Sequence, residues 1–207
     1  MSHHPAPTGL PNKSMPPKNL PEYLVAIGAS TGGPAALLAL LSELPADFPA
    51  AIVVVQHIDE KHAFDMAQWL DKQVSLNVRS MSNGESPEAG TVWLSRTNNH
   101  IRLNKDGKLI YTPRPRDLPW RPSVDEFLCS VALHWRSKLI AALLTGMGWD
   151  GARGLLALRR LGHHTFAQDE NSCAIYGMPR GAVNRGAARE ILSPGKIGKR
   201  LCDLTLQ

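Results

Sequence analysis

The amino-acid sequence predicts an α/β fold, namely a doubly wound, mostly parallel, Rossmann-like sheet with a small antiparallel hairpin insertion. Three observations support this prediction. Apolar strand-like segments alternate with helical patterns, which favours parallel strands joined by helices. The run "AIVVV" at residues 51–55 is apolar throughout, as expected of a strand buried on both faces. The turn Lys105-Asp106-Gly107 lies between two short strand-like segments, which indicates a hairpin.

The individual elements follow in chain order. A strand begins at Tyr23 and leads through a glycine-rich turn to a helix over residues 35–44, where Pro34 suits the first helical turn. Ser123 and Glu126 form a capping-box pattern that predicts a helix start. The other expected strands cover residues 51–55, 91–95, 100–103, 108–111, 139–144 and 165–167, and the other expected helices cover residues 63–73, 155–161 and 197–204.

The composition is that of a globular protein in a reducing compartment. The 207 residues suffice for one domain with its own core, and no apolar run approaches the roughly 20 residues of a membrane span. Three cysteines without C-x-x-C spacing, and no signal-peptide pattern, predict a cytoplasmic location without membrane insertion. The proline-rich stretch 1–21 is expected to be a disordered tail, and residues 22–207 a single folded domain.

The basic residues do not indicate a nucleic-acid-binding protein. The net charge is +5, and the densest local group is Arg114, Arg116 and Arg121. No aromatic residues are interleaved with them in a repeat, and no zinc-finger spacing is present, so no nucleic acid is expected as a partner. The histidines also lack metal-ligand spacing, and no metal site is predicted.

The stretch "IGASTGG" at residues 27–33 has two competing functional interpretations. Glycines between a strand and a helix can hold a phosphate, but the stretch lacks G-x-G-x-x-G and a Walker lysine. It does match G-x-S-x-G, the turn that exposes a serine nucleophile, with Ser30 at its centre. A purely structural glycine turn is a third possibility.

Two further residues share the predicted position of Ser30. His57 follows the second strand, and Asp150 follows the strand at residues 139–144. Ligands of open α/β sheets bind outside the carboxyl ends of the strands, so the three side chains are expected at one edge. A serine needs a base to take its proton, and a carboxylate can orient that base. Together these placements favour a Ser30, His57, Asp150 catalytic triad over the phosphate interpretation.

The chain resembles the catalytic domain of CheB-type chemotaxis protein-glutamate methylesterases. The segments that carry the resemblance are "IGASTGGPAAL" from Ile27, "VVVQHI" from Val53, "RPSVD" from Arg121, "LLTGMGWDGARGLLALRRLG" from Leu143 and "AQDENSCAIYGMPRGAV" from Ala167. They are spread over most of the chain outside the tail.

The resemblance implies a serine hydrolase that removes methyl groups from glutamate γ-methyl esters of chemoreceptor helices, with deamidation of receptor glutamines as a further activity. It implies Ser30 as nucleophile, His57 as base and Asp150 as orienting carboxylate. It also implies the Met147 N–H as oxyanion donor with Thr31 shaping the pocket. Arg121 and Met178 are candidates for the substrate groove, and no cofactor is required.

Two departures from the family pattern keep a second hypothesis open. Better-known members carry an N-terminal receiver domain that gates the esterase, whereas the proline-rich tail precedes Tyr23 here, so a separate receiver or kinase protein is a candidate partner. The segment "SRTNNH" at residues 95–100 also replaces a more usual Pro-Gly-Asp-like turn ahead of the hairpin. Trp120 stands before "RPSVD" where those members have histidine, a difference that bears on substrate choice. The alternative is a non-catalytic signalling adaptor that binds receptor or kinase.

Overall fold

The computed structural model describes residues 20–206. Its strands are β1 (Tyr23–Ala29), β2 (Ala50–Gln56), β3 (Asn77–Ser80), β4 (Thr91–Leu94), β5 (His100–Leu103), β6 (Leu109–Thr112), β7 (Lys138–Leu143), β8 (His164–Gln168) and β9 (Glu190–Leu192). Its α-helices are α1 (Gly33–Leu41), α2 (Glu60–Asp71), α3 (Val124–His134), α4 (Ala152–Arg160), α5 (Met178–Asn184) and α6 (Pro194–Thr205), and a short 3₁₀ helix covers Glu170–Ser172.

Seven of these strands form one parallel sheet. Its order is β3-β4-β2-β1-β7-β8-β9, and every neighbouring pair is parallel. Ala26 of β1 lies opposite Val53 of β2 on one side and Ala141 of β7 on the other. Strands β5 and β6 form a separate antiparallel hairpin. The predicted fold class is therefore confirmed.

The central strands are apolar throughout because both faces of the sheet are covered. Leu24 and Ala26 of β1 belong to one core cluster, whereas Val25 and Ile27 belong to another. The first cluster is completed by α3, α4, α5 and the hairpin, and the second by α1, α2 and α6. This two-sided burial explains the continuous β-branched run of β2, which would alternate with polar residues if one face were exposed to water.

The strand order reverses direction between β1 and β7. From β1 the chain forms β2, then the edge strand β3 and, between those two, β4, and it later returns to the other side of β1 to form β7, β8 and β9. The loops after β1 and β7 consequently diverge to opposite faces of the sheet, which opens a crevice at their carboxyl ends. The functional site is expected at this crevice.

Several short elements differ from the expectation. The strand expected near residue 91 joins the parallel sheet as β4, and β3, β9 and α5 were not predicted. The tail expected over residues 1–21 lies largely outside the described residues. Leu20, the first described residue, packs against the core cluster beside the hairpin glycine Gly107, and the boundary between tail and domain stays a prediction. Among the described residues, no helix is both long and apolar enough to cross a bilayer.

Candidate active site

Ser30 occupies the tight turn between β1 and α1. Its N–H donates to the carbonyl of Thr145 at 3.0 Å, which ties the turn to the end of β7. The Ser30 carbonyl accepts from the Gly33 N–H at 2.7 Å and from the Gln56 amide at 2.8 Å. Gly32 has a φ of 81° at the start of α1, a conformation that favours glycine. A Cβ at Gly33 would collide with the Gln56 side chain, so this glycine permits the hydrogen bond that fixes Ser30.

His57 lies beside this turn because β1 and β2 are in register. Ala29 pairs with Gln56, and the His57 N–H donates to the Ala29 carbonyl at 2.9 Å. The imidazole Nε2 makes a hydrogen bond of 2.9 Å to Asp150 Oδ2. The other ring nitrogen, Nδ1, is buried and has no hydrogen-bond partner within residues 20–206. The structure therefore brings His57 and Asp150 into contact and places Ser30 at the adjacent strand end, without a hydrogen bond between Ser30 and His57.

The Asp150 carboxylate closes the N-terminus of α3. Its Oδ1 accepts from the Ser123 hydroxyl at 2.9 Å and from the Asp125 N–H at 3.0 Å, and its Oδ2 accepts from the Val124 N–H at 2.7 Å. Asp125 in turn accepts from the Gly154 N–H at 2.7 Å in the first turn of α4. Asp150, two residues before α4, therefore accepts from the start of α3, and Asp125 in the first turn of α3 accepts from the start of α4. The backbone partial charges at both N-termini favour these anionic side chains.

These contacts decide the charge of Asp150. Burial by itself would raise the pKa of this carboxyl. The hydrogen bond from His57 and the bonds from the two α3 amides outweigh burial and hold the pKa of Asp150 below its ordinary value. The site therefore contains a buried anion that accepts the Nε2–H of His57, which leaves Nδ1 as the ring nitrogen able to accept a proton.

A buried histidine connects this cap to the loop that follows the hairpin. His100 is fully buried, and its Nδ1 accepts from the Ser123 N–H at 3.1 Å while its Nε2 lies 2.8 Å from the Pro115 carbonyl. Both contacts are satisfied when the neutral ring carries its proton on Nε2. His100 therefore joins the residues 113–122 to the α3 cap that holds Asp150, a role that no spacing in the sequence indicated.

The loop after β7 has a fixed backbone orientation beside Ser30. The Gly146 carbonyl accepts from the N–H groups of Gly177 and Met178 at 3.1 and 2.8 Å, at the start of α5. A trans peptide group directs its N–H opposite to its carbonyl, so the Met147 N–H points away from α5. No described oxygen accepts from that N–H. A Cβ at position 146 would stand 2.5 Å from the Ser30 Cβ, so this loop lies directly against the serine.

The other predicted site residues differ in how far they are exposed. Thr31 is exposed beside Ser30, and its carbonyl accepts from the Thr145 hydroxyl at 2.9 Å. Met178 is fully buried, and its Sδ packs against Gly146. Its contact with the predicted substrate groove is therefore indirect, through the backbone of the loop after β7. Arg121 is exposed and donates to the Arg116 carbonyl. Direct substrate contact by Arg121 or Met178 remains a prediction.

Two tryptophans at the site were missed as functional residues. The Trp120 ring is nearly parallel to the His57 imidazole, with an interplanar angle of 4° and a centroid separation of 6.3 Å. Trp149 meets Trp120 edge to face at 5.5 Å. A Cβ at Gly148 would stand 2.7 Å from the Trp120 ring. This ring therefore lies between the His57 imidazole and the loop after β7. The sequence marked Trp120 as a departure from the family pattern, but its role depends on contacts between distant segments.

Cys173 does not have the properties of a second nucleophile. Burial raises the pKa of its thiol to about 11. The thiol is therefore protonated near neutral pH, whereas the thiolate is the nucleophilic form. Among the described residues, no three histidine, cysteine or acidic side chains form a group that could hold a metal ion.

Comparisons with known proteins identify the family of this chain. A family model described as CheB methylesterase matches residues 25–201. The chain is 54% identical over 198 residues to a Cupriavidus metallidurans protein named protein-glutamate methylesterase/protein-glutamine glutaminase 2, and the match covers 96% of this chain and 57% of that protein. It is 52% identical over 192 residues to a Pseudomonas aeruginosa protein named protein-glutamate methylesterase/protein-glutamine glutaminase 3, which covers 92% of this chain and 57% of that protein.

A solved structure of the same family has a similar fold. The crystal structure of the Thermotoga maritima CheB methylesterase catalytic domain matches with a TM-score of 0.83 at 35% sequence identity. The match covers 87% of this chain and 97% of that one. This chain spans a little over half the length of the two curated relatives.

Proposed function

Since this chain belongs to the CheB methylesterase family, we propose that it hydrolyses glutamate γ-methyl esters on the cytoplasmic helices of chemoreceptor-type signalling proteins and releases methanol. The observation that carries this proposal is the Ser30 turn beside a histidine whose Nε2 is bonded to the buried Asp150. We propose a cytoplasmic location, where those helices lie. No feature of the described residues favours the non-catalytic adaptor.

In the proposed reaction, the Ser30 hydroxyl attacks the ester carbonyl while His57 Nδ1 takes its proton. This assignment follows from the hydrogen bond between Nε2 and Asp150, which leaves Nδ1 as the proton acceptor. The negative charge on the carbonyl oxygen is stabilised by the Met147 N–H, which has no acceptor among residues 20–206. One such donor contributes about 10² to 10³ in rate in a serine hydrolase.

The intermediate then collapses in two stages. His57 returns the proton to the methoxy oxygen, methanol leaves, and the glutamyl group remains as an ester on Ser30. Water attacks this ester with His57 again acting as base, which regenerates the serine and yields glutamate. A glutamine side chain forms the same acyl-enzyme with ammonia as the leaving group, so deamidation requires no further residue.

The test is methanol release from a methylated receptor cytoplasmic fragment. We expect the wild type and a Ser75→Ala control, which changes an exposed serine after α2, to release methanol at similar rates. Ser30→Ala is expected to release none above the uncatalysed rate, because no nucleophile remains. Equal release by wild type and Ser30→Ala, or none by the wild type, contradicts the proposal.

A further inference from the structure

A groove begins at the loop that carries the proposed oxyanion donor. It has a volume of about 430 Å³ and lies between residues 147–149 and the segment 175–185. Gly177 and Gly181 line one wall, and the absence of a Cβ at both positions lets the loop at residues 146–149 pack directly against α5. Gly146 lies against Ser30, and the groove begins at the next residue of the same loop, Met147.

The rim of the groove that the loop after β7 forms is apolar and exposed. Met147 and Trp149 are 58% and 61% exposed, which is unusual for side chains of this size. Trp149 is held by its edge-to-face contact with Trp120, so its exposed face is positioned before any ligand arrives. Exposed apolar side chains beside a catalytic crevice are typical of surfaces that bind another protein.

The far wall of the groove is cationic. Arg180 on α5 and Arg185 at the end of that helix line it, and no carboxylate does. Arg185 donates to the carbonyl of Gly181, another lining residue, at 3.1 Å, which holds its guanidinium beside the groove wall. Within residues 20–206, neither arginine forms an ion pair with a carboxylate. Both positive charges are therefore available to a partner.

We propose that this groove recognises the acidic, amphipathic helix that carries the ester. The proposal rests on the proposed function, because a segment whose esters are converted to glutamates gains one negative charge at each site. Side chains three and four residues from the esterified glutamate lie roughly 5–6 Å from it on the same helix face. Apolar side chains on that face contact Met147 and Trp149, and carboxylates pair with Arg180 and Arg185.

The two arginines make the groove selective for the charge of the residues beside the ester. Neighbouring sites that are already demethylated, or never methylated, present carboxylates to the arginines and strengthen binding. Neighbouring esters or glutamines do not. The groove therefore favours esters that are flanked by free glutamates.

The experiment uses two helical peptides of about 20 residues, each with a single glutamate γ-methyl ester. One peptide has glutamates three and four residues from the ester, and the other has glutamines there. The measured quantity is the ratio of kcat/KM for the two peptides, from methanol release. The enzymes are the wild type, Arg180→Gln, Arg185→Gln, the double variant and the control Arg136→Gln, which lies before β7 at the opposite end of the sheet.

We expect the wild type to prefer the glutamate-flanked peptide and each groove substitution to lower that preference by about two- to fivefold, as for exposed ion pairs. The double variant is expected to abolish most of it, and Arg136→Gln to retain it. High salt should reduce the wild-type preference because it screens exposed charges. Hydrolysis of both peptides with no dependence on Arg180 or Arg185 overturns this inference alone, whereas no hydrolysis of either peptide by the wild type overturns the proposed function as well.

Discussion

Replacing Asp150 by asparagine removes one of two acceptor oxygens from a side chain that accepts four hydrogen bonds. Oδ2 accepts from His57 Nε2 and the Val124 N–H, and Oδ1 accepts from the Ser123 hydroxyl and the Asp125 N–H. An asparagine NH₂ group is a donor, so in either orientation it faces one of the two α3 amides. One buried N–H must then lose its acceptor.

The substitution is therefore expected to lower both the stability of the protein and its kcat. A buried N–H without an acceptor costs about 1–3 kcal/mol, so we expect the free energy of unfolding to fall by this amount. If the NH₂ group faces Nε2 of His57, the ring proton moves to Nδ1, and Nδ1 can no longer accept the Ser30 proton. The same substitution in a serine-protease triad lowers kcat about 10⁴-fold, and we expect a loss of about 10³ to 10⁴ here.

The assays are methanol release for kcat and urea unfolding for stability. Asp47→Asn serves as the matched control, because Asp47 is exposed in the loop before β2. We expect this control to leave both quantities close to those of the wild type. A kcat for Asp150→Asn within tenfold of the wild-type value would refute the reasoning that Asp150 sets the tautomer of His57.

Three further predictions concern the same site. Gly177→Ala places a Cβ 2.6 Å from the Gly146 carbonyl oxygen, so the loop must shift, and we expect kcat to fall about 10²-fold or more in a variant that a melting curve shows to be folded; an unchanged kcat contradicts the oxyanion assignment. Trp120→Ala removes the ring stacked on His57 and should lower kcat about two- to tenfold, whereas Trp120→Phe should retain most of it; equal rates for the two variants would exclude a role of the ring in positioning. Because the pKa of Asp150 is lowered, its ionised form stabilises the fold at pH values above the ordinary aspartate pKa. This contribution is lost as the pH falls through the lowered pKa. The free energy of unfolding should therefore decrease more steeply in acid for the wild type than for Asp150→Asn.

The fold was predictable where burial is complete and the local signal is strong. The apolar run of β2 and the hairpin turn at residues 105–107 match the structure closely. Ser123 also begins α3 as predicted, although only half of the capping box forms, because the Ser123 N–H donates to His100 and not to Glu126. β3, β9 and α5 were missed because each is short and mixes apolar with polar residues, so that neighbouring strands and helices, rather than an intrinsic pattern, determine their conformation.

The site was predictable only in part for a related reason. Ser30, His57 and Asp150 could be placed together because each follows a strand of a parallel sheet, and topology alone brings strand ends to one edge. The partners of these residues come from segments far away in the chain. His100 contacts Ser123 and Pro115 across the hairpin, and Trp120 reaches His57 from a loop without regular structure. No periodicity or spacing encodes such contacts.

The most direct test of the central claim is covalent labelling with a fluorophosphonate, followed by intact mass measurement and peptide mapping. The reagent reacts with a serine that an adjacent base activates. The account predicts one adduct per chain, located on Ser30, absent in Ser30→Ala and strongly slowed in His57→Ala. An adduct on another residue, or undiminished labelling of either variant, would contradict the assignment of Ser30 as a nucleophile activated by His57.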